Sequence, residues 1–127
     1  MEKIIINTQN APSAIGPYSQ GVKVGNLVFT SGQIPIDPKT GELVTGDIEK
    51  AAEQVMQNLK AILEEAGTKF ENVIKTTVLL SDINDFGKVN EIYGKYFVSE
   101  QPARSCFQVG KLPKDALLEI EVIAIVE

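Results

Sequence analysis

The chain contains no histidine, one cysteine and one arginine; its other eleven cationic side chains are lysines. Without histidine, Ser-His-Asp and Cys-His nucleophilic systems lose their base, and zinc loses its commonest ligand with only one thiol left. One cysteine makes no internal disulfide, in agreement with a reducing compartment. No GxxxxGK[ST], GxGxxG or EF-hand spacing occurs, so nucleotide, dinucleotide and calcium sites have no motif to support them. A formal net charge of −5 without an arginine cluster argues against a phosphate-tracking nucleic-acid surface. The start, MEKIIINTQN, offers an apolar run of only three isoleucines, too short for a signal h-region or a membrane span, and a cytoplasmic protein is expected. Any catalysis then rests on Arg, Tyr, Ser, Glu, backbone groups and water, with no metal expected.

What is present fits one globular domain over residues 1–127, with 43% hydrophobic and 23% charged residues. KIII at 3–6 reads as a strand, and GVKV and LVFTS flank Gly25-Asn26 as a hairpin. A loop follows over IPIDPKTGELV. From Asp47, an N-cap, to Gly67 at C′, Ile48, Ala51, Ala52, Val55, Met56, Leu59, Ile62, Leu63 and Ala66 recur at helical spacing. NVIKTTVLL at 72–80 reads as a strand; Ser81 or Asp82 caps a second helix with the stripe Ile83, Phe86, Val89, Ile92, Tyr93, Tyr96 and Phe97. ARSCFQV and ALLEIEVIAIV are strands separated by a turn at GKLPKD. The order is βββαβαββ, an α+β sheet with both helices on one face.

The last strand is apolar on both sides. Leu118, Ile120, Val122, Ala124 and Val126 suit the helix-facing side, while Leu117, Glu119, Glu121, Ile123 and Ile125 make the other side too apolar for open water, so a homo-oligomer is expected. On strand 103–109, Ala103, Ser105, Phe107 and Val109 suit the core, leaving Arg104, Cys106 and Gln108 for the intersubunit face. If the last two strands form an antiparallel hairpin, Arg104 and Cys106 share that face with Glu119 and Glu121. Two readings then stand: an interface salt bridge, or a site in which the fork of Arg104 takes a small carboxylate in two parallel hydrogen bonds. Cys106 reads as a buried small hydrophobe lacking the base that a thiolate nucleophile needs, and Tyr18 sits in the turn GPYSQG, where packing or a cleft role both fit.

Taken in order, AIGPYSQ, TSGQIPIDPKTGE, NLKAILEEAG, VIKTTVLLSDINDF, VNEIYGKYF, PARSCFQVGKLPKD and LEIEVIA resemble the RidA/YjgF reactive intermediate deaminase family over essentially the whole chain. The resemblance implies a chorismate-mutase-like subunit and a homotrimer with a central β-barrel and three intersubunit clefts. It implies that Arg104 clamps a substrate carboxylate, that Tyr18 and Ser31 line the cleft, that Cys106 contributes through its backbone and that Glu119 positions water. Tyr18 would assist proton transfer to nitrogen. Gly32 and Asn90 match motif positions with structural roles. The implied reaction is cofactor-independent hydrolysis of 2-aminoacrylate or 2-aminocrotonate, through their imines, to 2-oxo acids and ammonia. Relatives described as endoribonucleases or translation inhibitors leave RNA-directed activity as an alternative, and a non-catalytic regulatory metabolite-binding module is another.

Overall fold

The computed structural model describes residues 1–127. Strands β1 (Lys3–Ile6), β2 (Gly21–Val24) and β3 (Leu27–Thr30) precede helix α1 (Ile48–Glu65); β4 (Val73–Leu80), α2 (Phe86–Tyr96), β5 (Ala103–Gln108) and β6 (Leu118–Ile125) follow. This is the βββαβαββ order expected. The β2–β3 hairpin turns on Gly25, whose φ of +59° lies in the left-handed region.

Helix α1 begins where Asp47 accepts hydrogen bonds from the Glu49 and Lys50 amides at 3.0 and 3.1 Å. It stops in a Schellman arrangement: Thr68 N–H donates to Leu63 O at 2.9 Å and Gly67 N–H to Glu64 O at 3.0 Å, with Gly67 at φ +84°. Every apolar residue of the stripe read from the sequence is buried. Each large member contributes roughly 1.5–3 kcal/mol of burial. Asn58 is buried among them, a polar residue that apolar periodicity passes over. Its amide donates to the carbonyls of Ile34 and Ile36 at 3.3 and 3.0 Å and accepts from Gln54 at 2.9 Å, tying the loop after β3 to the helix.

Asp82 caps a single 3-10 turn, Ile83–Asp85, before α2 starts at Phe86. Ile83 therefore falls outside the helix and is exposed, contrary to its place in the expected stripe. Tyr96 ties α2 to α1 by donating to Glu53 and accepting from Gln57; burial, with the carboxylate at its hydroxyl, pushes the phenol up to about 12. Both helices pack on Val28, Val78, Leu80, Leu118, Ile120, Val122 and Ala124 of the sheet. No helix is long and apolar enough to cross a membrane.

The sheet order is β1-β2-β3-β6-β4-β5, and it overturns the expected β5–β6 hairpin. β5 pairs with β4 in parallel, because α2 carries the chain back across the helix face to the starting end of the sheet. β6, apolar on both sides, inserts antiparallel between β3 and β4. Parity then changes faces. Arg104, Cys106 and Gln108 stand opposite Thr76, Val78 and Leu80, on the helix side; Ala103, Ser105 and Phe107 lie on the open side with Glu119 and Glu121. Phe107, expected in the core, is 55% exposed, and Ile5 and Phe29 on that same open face are 52% and 41% exposed.

Candidate functional site

Two groups of the residues singled out by sequence are held on different faces of the sheet. The first gathers Tyr18, Ser31, Gly32 and Glu119 around a cavity of about 520 Å³. The strand end after β3 is clamped twice: Ser31 N–H donates to Gln20 O at 2.8 Å and its hydroxyl to Ser19 O at 2.5 Å. Two residues on, Gln33 and Ile120 exchange backbone hydrogen bonds of 2.8 and 3.1 Å, which seats this segment against β6 beside Glu119. Gly32 is required by that approach. A Cβ placed there would lie 2.0 Å from Glu119 Oε2, so any side chain displaces the carboxylate.

Tyr18 stands 53% exposed on the turn opened by Gly16, whose φ is +117°. The loop carrying it is anchored by Gln20, which is 2% exposed. Its carbonyl accepts from Thr8 N–H at 2.7 Å and its amide donates to Thr8 O and Pro12 O at 3.0 and 2.8 Å. Sequence reading missed Gln20, since a lone glutamine beside a turn carries no periodic signal. It also missed Lys114, which lines the cavity from a left-handed backbone (φ +57°) inside GKLPKD.

Glu119 is half-buried. Burial first, and the neighbouring Glu121 second, raise its carboxyl above the ordinary range. The folded protein thus holds this proton to higher pH than the unfolded chain does. The associated stability is present below the unfolded carboxyl pKa and is lost as pH rises through the raised value. Thermal melts across that interval should fall more steeply in the wild type than in Glu119→Gln; parallel curves would show that Glu119 is not the group responsible.

The second group centres on Arg104. Its Nη1 donates to Asn90 Oδ1 at 2.7 Å, and its guanidinium carbon lies 5.2 Å from the Phe86 ring centroid and 4.9 Å from that of Tyr93. Arg104 does not meet Glu119 or Glu121 within the protomer: it occupies the helix face of edge strand β5, and they occupy the open face of β6, with β4 between. The pairing of Arg104 with these glutamates inside one chain, expected from a β5–β6 hairpin, fails on this geometry. Cys106, two residues on, packs partly against the core. Burial pushes its thiol up from a value already above neutrality, partly offset by the Arg104 charge, so it is the protonated thiol that stands here at pH 7. Cys106→Ala should accordingly retain most turnover of the folded protein; complete loss, with a covalent adduct trapped on the wild-type thiol, would make it the nucleophile after all. No group of three or more metal-ligating side chains converges anywhere in the chain.

Residues 8–126 match the family described as Endoribonuclease L-PSP. A RutC family protein of Pyrococcus abyssi is 56% identical over 124 residues, 98% of each chain. A human protein named 2-iminobutanoate/2-iminopropanoate deaminase is 54% identical over 121 residues, 95% of this chain and 88% of its own. Among solved structures, Escherichia coli TdcF with bound serine superposes with a TM-score of 0.92 at 50% identity, covering 98% of this chain and 99% of that one.

Proposed function

The chain belongs to the Endoribonuclease L-PSP family, within which RidA and YjgF fall, and from that premise we propose that it is a 2-iminobutanoate/2-iminopropanoate deaminase, hydrolysing small 2-imino acids to 2-oxo acids and ammonia. The observation that carries this is the human relative of that name, alike at 54% of positions over almost the whole chain. That TdcF was solved with bound serine supports a ligand of small amino-acid size.

The chemistry asks little beyond placement. A protonated imine carbon is already electrophilic, so holding the anion and one water in register supplies much of the acceleration. Arg104 takes the substrate carboxylate through its fork. Glu119, as carboxylate, accepts a proton from water while the water oxygen bonds to the imine carbon and the C=N π pair moves to nitrogen. The carboxyl then returns its proton to that nitrogen, the C–N bond breaks, and as ammonia leaves the hydroxyl gives its proton to the regenerated Glu119 carboxylate, which passes it to the ammonia, leaving the 2-oxo acid and ammonium. Tyr18 and Ser31 line the cleft, Tyr18 assisting the proton to nitrogen, and Cys106 contributes its backbone.

Arg104 and Glu119 lie on opposite faces of one protomer, so a single chain holds two half-sites. The open face of the sheet, with Ile5, Phe29 and Phe107 in solvent, fits burial against copies of the same chain. In the homotrimer with a central barrel that we infer, Arg104 of one protomer borders the Glu119 cavity of the next. A coupled assay tests the activity: a dehydratase generates the imine, and its disappearance is followed. Addition of this protein should speed 2-oxo acid release; a rate no greater than that in buffer would refute the reading.

A further inference from the structure

Arg104 is an exposed cation in a chain of net charge −5, yet it pairs with no carboxylate; the one salt bridge joins Lys111 and Asp115. What holds it is neutral. Phe86, Asn90 and Tyr93 fall at i, i+4 and i+7 of α2, one stripe of the helix. From that stripe Asn90 Oδ1 accepts a single N–H at 2.7 Å, and the two rings receive the guanidinium at 5.2 and 4.9 Å. The Tyr93 ring is itself fixed. It is 6% exposed, and its hydroxyl shares a 2.8 Å hydrogen bond with Thr76, which is fully buried and stands directly opposite Arg104 in the β4–β5 ladder.

We propose that Phe86, Asn90 and Tyr93 form a charge-neutral cradle that positions Arg104 while leaving its positive charge and remaining N–H donors free for an incoming carboxylate. This deepens the clamp reading and rests on it. A carboxylate at position 90 would hold the arginine equally well as structure, but would occupy the fork and compete with substrate. An uncharged acceptor anchors one nitrogen and leaves the charge uncompensated. The sequence reading saw Phe86 and Tyr93 only as members of an apolar stripe, and Asn90 as a structural motif position.

The test exploits that difference. Asn90 is exposed, so Asn90→Asp and Asn90→Ala are expected to fold, with melting checked for each. Steady-state kinetics on the dehydratase-generated imine should show KM raised about tenfold or more by Asn90→Asp, and less by Asn90→Ala, with kcat changed less than KM in both. In an Arg104→Ala background neither substitution should have a further effect. A merely structural residue predicts the reverse ranking, the aspartate matching wild type and the alanine falling below it, and that outcome overturns the cradle. If Asn90→Asp raises KM as much in the Arg104→Ala background as in wild type, the residue acts elsewhere and the proposal also fails. If Arg104→Ala itself leaves KM unchanged, the clamp reading falls first and takes the cradle with it; if Arg104→Ala raises KM and Asn90→Asp does not, the cradle alone is refuted.

Discussion

Arg104→Lys is expected to leave the protein folded and yet lower kcat/KM for carboxylate-bearing imines by about 30- to 1000-fold, a loss of roughly 2–4 kcal/mol of transition-state stabilisation. Charge is conserved by the change; geometry is not. A guanidinium presents parallel donors that fix the carboxylate, and through it the C=N carbon, whereas an ammonium makes one movable contact. The surroundings sharpen the expectation. An ammonium on a shorter, unforked side chain cannot at once keep the Asn90 bond, remain over the Phe86 and Tyr93 rings and offer a second donor edge outward. Kinetics and thermal melting on one preparation decide the matter. A variant that melts early but turns over normally when folded would mean that Arg104 serves only the packing of β5 on α2.

Mixing two strongly impaired variants should restore activity. In the proposed site, Arg104→Ala takes away the anion clamp and Glu119→Gln the proton acceptor, and removal of a general base alone typically costs about 10²–10⁴-fold. If each active cleft takes Arg104 from one protomer and Glu119 from its neighbour, random co-assembly of equal amounts leaves about a quarter of the clefts with both native residues. Co-expressed, differently tagged chains isolated as mixed trimers hold one complete cleft in three, so they should show about a third of wild-type activity per cleft against little in either parent. Clefts complete within one chain predict no recovery. The opposite-face placement of the two side chains is why recovery is expected, and a mixed assembly as inactive as its parents would refute the shared site.

Local information was legible to the residue in places. Asp47 and Gly67 bracket α1 because each satisfies backbone groups of its own helix end, a task needing only neighbours in sequence. The inward parity of β6 was legible too, since alternation along a strand is intrinsic to the pleat. Gln20 and Asn58 were not: each satisfies the backbone of a segment distant in the chain, and a buried amide looks in sequence like any surface glutamine or asparagine. Phe107 was misplaced for a related reason, as its apolar character says that it avoids water without saying on which side of the sheet.

The chain's own order of residues determined the element sequence, the limits of α1, the family and the shortlist of Arg104, Glu119, Tyr18, Ser31 and Cys106. Only the tertiary structure decided which of these meet. Parity relates residues within one strand, but it acquires an absolute face only when strands pair, and pairing is set by long-range burial. The sequence places β5 and β6 next to each other with a turn between; the parallel return through α2 and the two-sided burial of β6 separate them by β4. That one difference moves Arg104 from the side of Glu119 to Phe86, Asn90 and Tyr93 of α2, and separates within the protomer two residues that the sequence reading had placed together, because a strand's neighbours are chosen by the area they bury together and not by the length of chain between them.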